Sequence, residues 1–468
     1  MSEKVEIPLT RLTGEFVAGL SFENLPREAV ARVCNGITDC AAVTILAHDE
    51  PVTHLIETAT NSIGSIAEAR VCFSSTFGSA PDAALVNATA GHAHDYDDTG
   101  IGVHPAHPSV VLASAVLAEG EAIGATGPAM IAAYVAGYEV WGELARRDKQ
   151  AHTLGGFHPT SVFGTVAAAA AVANLLALDA GRASFAVGIA ASFASGLVGN
   201  FGSMTKPMHA GRAAQSGILA ARLARDGMTA APDILESKLG FLMSFSPAGE
   251  VDLHSAPIYK NDWWILRHGL NFKLYPACYS GHRALDGMLD LVAEHNVAAD
   301  DVEEITVNLT AAQSANLFSH APKTVSDAKF SIEFMMAMAI VARRATFAEL
   351  SEAFLNREDV AALIKRVRIS PCLPTSLLGL SPQDRISVLL KDGRRLERSL
   401  THPRGHAARP LDIDVLWTKF ADCVSGAMSQ SEARKFFDRL QSFDRLRSMS
   451  ELPFVAGTES AVGARAMR

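Results

Sequence analysis

The chain has 468 residues, 49 % of them apolar and 19 % charged. That length accommodates two or three domains of ordinary size, and the composition excludes a disordered chain. A net charge of −9 without a basic tract argues against a nucleic-acid partner, because phosphate binding draws on clustered Lys and Arg. The six cysteines (Cys34, Cys40, Cys72, Cys278, Cys372, Cys423) form no CxxC pair, which argues against zinc ribbons, thioredoxin-type redox sites and clustered iron–sulfur ligation. Reduced, buried thiols in a cytoplasmic protein are the simplest reading. The opening MSEKVEIPLT has charges but no apolar run behind them, so no signal peptide is expected.

The first half reads as helix after helix. Asn24-Leu25-Pro26 marks a helix start, and Val30, Val33, Cys34, Ile37, Ala41 and Thr44 follow at helical spacing. Gly127-Pro128 opens another helix, with Ile131, Tyr134, Val135 and Tyr138 on one stripe and Arg146 and Arg147 at its end. Ser161–Leu178 and Ala183–Thr205 carry no charge except Asp179 and Arg182 between them, and are rich in Ala, Gly and Ser. Membrane helices favour Leu, Ile, Val and Phe, so both stretches are expected to be tightly packed buried helices and no membrane partner is expected. No strand is expected in residues 1–265.

Beyond residue 268 the pattern changes. Val302–Leu309 alternates as a strand does. Arg385–Leu390 and Arg394–Leu400 flank Lys391-Asp392-Gly393, a hairpin signal. Val367–Ser370 is a further short strand. Helical runs cover Val325–Ala342, Phe347–Leu355 and Val360–Val367. After Gly405 the helical pattern resumes over Val415–Cys423 and Ser431–Arg447. The expected fold is therefore mainly α: a large all-helical domain from both chain ends (1–267 and 406–455), an inserted α+β domain (268–405), and a frayed tail at 456–468.

Four segments carry the polar chemistry. Gly91–Ser109 holds four histidines (His92, His94, His104, His107) and three aspartates (Asp95, Asp97, Asp98) between two apolar helical runs, a costly arrangement unless these groups are paired or working. The HxHxDH metal pattern fails, since Tyr96 and Asp97 stand at its last two positions, and HExxH is absent. No metal is expected. Gly155–Ser161 places His158 at a helix N-terminus, where the dipole favours a neutral imidazole and attracts anions; Thr160 or Ser161 is expected to cap that helix. Met204–Arg212 contributes Lys206 and His209. Leu270–Arg283, at the change of pattern, contributes Lys273, Cys278 and Tyr279. No GxxxxGK[ST], no GxGxxG after a strand and no GxSxG elbow accompanies them. What remains is a cofactor-free acid/base site for carboxylates, in which lysines stabilise developing charge and a histidine moves the proton.

In this order the segments resemble the MmgE/PrpD family, which includes 2-methylcitrate dehydratase, cis-aconitate decarboxylase and iminodisuccinate epimerase. His92–Thr99 with His107-Pro108-Ser109 is similar to the family's HxxDFDDT…HPS region. Gly156–Ser161 is similar to its second histidine motif, and Thr205–Gly211 and Lys273–Cys278 to its two lysine motifs. Ala328–Phe334 is similar to its late helical motif. The resemblance runs from about residue 10 to about 450. It implies a helical domain plus a smaller α+β lid with the site between them, a homodimer, and no metal or organic cofactor. It places Asp95, Thr99, His107, His158, Lys206 and Lys273 in that site; Asp95, His107, His158 and Lys206 are expected to be catalytic, and Thr99, Lys273, His209 and Tyr279 to bind substrate. In the decarboxylase branch a tyrosine stands where this sequence has Phe334, which removes a hydrogen-bond donor or proton carrier. The implied function is a lyase on a small di- or tricarboxylate, removing water or carbon dioxide. An epimerase of a similar polycarboxylate uses the same proton abstraction and stays open. A non-catalytic helical binding protein would leave the Asp/His cluster idle.

Overall fold

Helices here begin where proline and small polar side chains set the first turn. A computed structural model describes residues 7–60, 64, 66–100, 106–148, 155–246, 249–259, 262–374 and 382–456. In chain order α1 (Leu9–Ala18), α2 (Arg27–Leu46) and α3 (Pro51–Ala59) are followed by a two-residue ladder of β1 (Ala69–Arg70) and β2 (Phe77–Gly78). Next come α4 (Ala80–Ala93), β3 (Thr99–Gly100), α5 (Pro108–Ile123) and α6 (Gly127–Arg147). Then follow α7 (Pro159–Leu175), α8 (Ala180–Phe193), α9 (Thr205–Arg225), and the short α10 (Phe241–Phe245) and α11 (Trp264–Arg267), before β4 (Leu270–Asn271) pairs antiparallel with β3. Ser79 caps α4, Thr126 caps α6 and Asp179 caps α8, each accepting a first-turn N–H.

This first compact unit comprises residues 1–272 and 412–468. Its core is α7, packed on α6, α8 and α9, with α9 also lying along α4. Every residue of α7 is buried except Asn174, whose amide donates to the carbonyls of Val17 and Leu20. The close approach rests on small residues: a Cβ on Gly217 in α9 would lie 2.4 Å from Ala168 Cβ in α7. Among the described residues, α2 alone has the length and apolarity to cross a membrane, and 72 % of its apolar window is buried inside the fold.

The second unit, 273–411, is built separately. It contains α12 (His282–His295), β5 (Val302–Leu309), α13 (Ala311–Asn316), α14 (Val325–Ala328), α15 (Ile332–Ala342), α16 (Glu352–Leu355), α17 (Glu358–Ile364), β6 (Val367–Pro371), β7 (Asp384–Leu390) and β8 (Arg395–Leu400). The strands form one sheet in the order β6-β5-β7-β8, with β5 and β6 parallel and the other pairs antiparallel. Gly393 turns the β7–β8 hairpin at φ 88°, the left-handed geometry the Asp-Gly pair predicts. Helices α12 and α15 supply the apolar cover, and Phe334 of α15 is buried edge-on to Phe354. The chain then returns to the first unit as α18 (Ile413–Val424) and α19 (Gln430–Gln441).

Several expectations need correction. The helical unit does contain strands, in ladders of two residues that are too short to leave any periodicity. The stretch Ala183–Thr205 is α-helical only to Phe193; beyond it Leu197, Phe201 and Met204 are exposed on a loop bent at Gly196 and Gly202, with one 3-10 turn at Val198–Asn200. The run Val325–Ala342 breaks before Ser331, which caps α15. In Phe347–Leu355 only the last four residues are helical, because Glu349 turns back to accept from Thr346. The helix expected over Ser431–Arg447 ends at Gln441. No disulfide joins the six cysteines, and Cys278 and Cys372 are only half-buried. The expected tail falls largely on residues 457–468, outside the described residues.

If the α7–α9 contact sets the core spacing, Gly217→Ala destabilises the protein by about 1–3 kcal/mol, because overpacking outweighs the gain of about 1 kcal/mol in helix propensity. Thermal unfolding followed by circular dichroism measures it.

Candidate functional site

Three of the central helices start at one place. His107 and His158 are the N-cap residues of α5 and α7, each followed by a proline in the first turn. Proline forces its predecessor out of the helical region and itself suits the first helical position. The two His-Pro pairs therefore hold both imidazoles at the positive ends of long helices. Lys206 sits in the first turn of α9. The expected cap from Thr160 or Ser161 is not made. Thr160 Oγ1 instead accepts the backbone N–H of His107, tying the start of α5 to α7, and Ser161 Oγ donates to the carbonyl of His209.

The segment after α4 supplies the carboxylates. Asp95 adopts a left-handed backbone at φ 53°, a conformation aspartate tolerates better than most residues. Its Oδ1 accepts from Lys206 Nζ at 2.7 Å and lies 3.6 Å from His107 Nε2. Asp97 is fully buried and bridges two rings: His92 Nδ1 at 2.9 Å and His107 Nδ1 at 3.0 Å. His107 Nδ1 also lies 2.9 Å from the Asp98 carbonyl. Asp98 accepts from the N–H and hydroxyl of Ser109, whose Oγ also meets Tyr134 Oη at 2.7 Å. Lys419 of α18 reaches Asp39 at 2.5 Å, the Tyr96 carbonyl at 2.8 Å and the Tyr96 ring face.

On the far side of the cluster, His158 and His209 meet through their Nδ1 atoms at 3.1 Å, so one ring donates and the other accepts. The His158 ring also packs edge-on against Phe201, which lies under the Lys206 ammonium. His92 sits between the two sides, its ring centre 4.3 Å from that of His107 and 6.2 Å from that of His158.

Burial dominates the electrostatics. It pushes His92 down to about 4, with Lys206 and His107 reinforcing and Asp97 opposing. It also holds His158 well below the ordinary histidine range, helped by the Lys206 charge, and lowers His209 for the same two reasons. Burial alone would raise Asp97, but His107 and His92 overcome it and keep the group ionised. Asp98 goes the other way: burial and the nearby Asp39 raise it well above the carboxylate range. The site thus combines neutral imidazoles, one ionised bridging aspartate and one lysine–aspartate pair.

His92, Asp95, Asp97 and His107 each present one atom within 4.8 Å of the others, a spacing a metal could use. The donor chemistry does not fit one. Asp95 is paired with the Lys206 ammonium, and both Asp97 oxygens already accept from imidazole nitrogens.

Of the residues singled out from sequence, Asp95, His107, His158, Lys206 and His209 come together here. Thr99 lies in β3, where its hydroxyl donates to the Ala106 carbonyl. Lys273 and Tyr279 belong to the second unit. Lys273 is buried there; Tyr279 packs its ring on His282, and burial raises its phenol. His104 lies outside the described residues. Sequence reasoning did not separate His92 and Asp97 from the rest of the polar run. Their five-residue spacing across the end of α4 was the available signal.

Helix N-termini, neutral histidines and a lysine held by a carboxylate define a site suited to binding anions and moving protons. The chain belongs to the MmgE/PrpD family: residues 11–254 match the MmgE/PrpD N-terminal domain and residues 275–444 the C-terminal domain. It is 29 % identical over 453 residues to the cis-aconitate decarboxylase of Mus musculus, covering 93 % of this chain and 91 % of that protein. The cis-aconitate decarboxylase of Homo sapiens is 30 % identical over 383 residues, 79 % of this chain and 78 % of the relative. That of Aspergillus terreus is 25 % identical over 367 residues, 74 % of each.

The buried histidines make stability acid-sensitive. His92 titrates near 4 in the fold and near 6.5 in the unfolded chain, so the unfolded state takes up its proton first. Its neutral burial is harmless above 6.5 and costs up to about 3 kcal/mol as pH falls to 4. His158 acts in the same direction. Urea midpoints measured from pH 8 to pH 4 are expected to fall across this window, and less steeply in His92→Asn.

Proposed function

We propose that the protein is a lyase acting on a small di- or tricarboxylate, with cis-aconitate as the first substrate to test. The observation that carries this reading is the convergence of three helix N-termini, with Lys206 and His107 on the Asp95 carboxylate and His158 on the other side of His92. Each helix end adds partial positive charge, and Lys206 adds a full one, so a multiply charged anion is the ligand such a site favours.

In this reading Lys206 binds a substrate carboxylate, and Asp95 holds the ammonium in place. Loss of carbon dioxide breaks a carbon–carbon bond and leaves the electron pair on carbon, delocalised toward a remaining carboxylate. Loss of water begins with removal of a proton next to a carboxylate. In both, negative charge grows on a carboxylate that a lysine already faces, and this is where a preorganised cation lowers the barrier. His107 or His158 moves the proton: in loss of water it takes one from the carbon next to the carboxylate and gives one to the leaving hydroxyl, and in loss of carbon dioxide it delivers one to the carbon that keeps the electron pair. His209 holds the His158 ring, and Thr99 helps position the substrate. The motif match gives Lys273 the role of a further substrate-binding residue, and Tyr279, just beyond that motif, is proposed for the same role. Phe334 offers no hydroxyl where the decarboxylase branch has tyrosine, so any proton that hydroxyl would carry must come from another group.

Proton NMR in deuterated water, with a chelator present, tests the reading on citrate, 2-methylcitrate, cis-aconitate and iminodisuccinate. Loss of a carboxylate or a new alkene supports the lyase and names its substrate. Deuterium entering an α-carbon without loss of mass would replace it with an epimerase. Lys206→Ala and His158→Ala are each expected to lower turnover by roughly 10²–10⁴-fold while circular dichroism shows the fold intact; near-full activity in both would remove the site assignment.

A further inference from the structure

His92 is a buried ring with one nitrogen used and one idle. Its Nδ1 meets Asp97, while Nε2 has no hydrogen-bond partner and is shut away from solvent. An ionised carboxylate only accepts, so the nitrogen facing it carries the proton. His92 is therefore the Nδ1–H tautomer, with a bare lone pair at Nε2. The same logic applies to His107, whose Nδ1 faces both Asp97 and the Asp98 carbonyl, two acceptors. Its Nε2 is left as the lone pair, on the side of the Asp95–Lys206 pair.

One carboxylate thus serves two imidazoles. A carboxylate given wholly to one histidine stabilises that ring's protonated form. Sharing it with a second donor reduces the charge each ring feels. His92 is well placed for this: its deep burial disfavours its own cation, so it stays a neutral donor at working pH.

We infer that Asp97 and His92 are positioning residues, Asp97 fixing His107 as the Nδ1–H tautomer and His92 sharing the Asp97 carboxylate with it as a second donor. This rests on the reading of His107 as a proton carrier. The other titratable groups facing the trio are Asp95 and Lys206 beside His107, His158 beyond His92, and Asp98, Asp39 and Cys40 around Asp97, with Lys419 paired to Asp39. None of them replaces His92 as a second donor to the Asp97 carboxylate.

Two measurements decide it. Ring-nitrogen NMR of protein labelled with ¹⁵N-histidine, assigned through single His→Asn variants, needs no substrate. Nδ1–H signatures for both His92 and His107, with His107 losing its preference in Asp97→Asn, support the inference whether or not any polycarboxylate is turned over. An Nε2–H tautomer for His107 overturns it. Where turnover is found, the pH profile of kcat/KM reads the charge sharing. His92→Phe gives Asp97 wholly to His107, so the acidic limb is expected to move up by roughly one unit. His92→Asn restores a donor near the Nδ1 position and is expected to bring the limb back. A folded His92→Phe protein whose limb does not move overturns the sharing role.

Discussion

The structure depends on burying carboxyl groups that cannot be left alone. Asp97 and Asp98 are fully buried in a short segment behind the partly exposed Asp95, and Asp39 of α2, also buried, lies against them. An unpaired ion there would cost several kcal/mol. Each is answered by a group from elsewhere in the chain: Lys206 from α9, His92 and His107 from α4 and α5, Ser109 from α5, Lys419 from α18. Satisfying these groups fixes how five helices meet. The same arrangement leaves some of the partners facing the cluster with nitrogen atoms to spare.

The small residues of α7 and α9 serve the same end. Alanine and glycine let the two helices approach closely, which brings His158 and Lys206, at their respective starts, toward one spot. Larger side chains along this contact would push the helix starts apart. The packing and the chemistry are therefore two readings of one contact, and the proline after each histidine adds the final restraint on the rings.

Much of this was legible in the residues. The proline after His158, the alternation of β5 and the Asp-Gly turn before β8 are local signals, and local signals survive into the fold. The polar run at 91–109 announced itself by its cost between apolar helices. What could not be read was pairing at long range. Thr160 looked like a helix cap and instead holds the backbone of His107, fifty-three residues earlier. His92 and Asp97 looked like two more members of a crowded run, because only the fold shows that one carboxylate reaches two rings. The loop after Phe193 was misread because its lack of charge suggested burial, whereas its glycines turn Leu197, Phe201 and Met204 outward. The two-residue ladders carry no period at all.

Lys419 gives the protein a sequence in time as well as in space. During synthesis the ribosome releases α2, with Asp39, and the Tyr96 segment long before it makes α18, and the whole second unit is translated in between. Until α18 arrives, Asp39 has no cation, and the Tyr96 carbonyl and ring lack the ammonium that later fastens them. The acidic segment is thus completed only by a late part of the chain. A chain that stops before α18 keeps the site residues named above but lacks the ammonium that Asp39 and the Tyr96 carbonyl share.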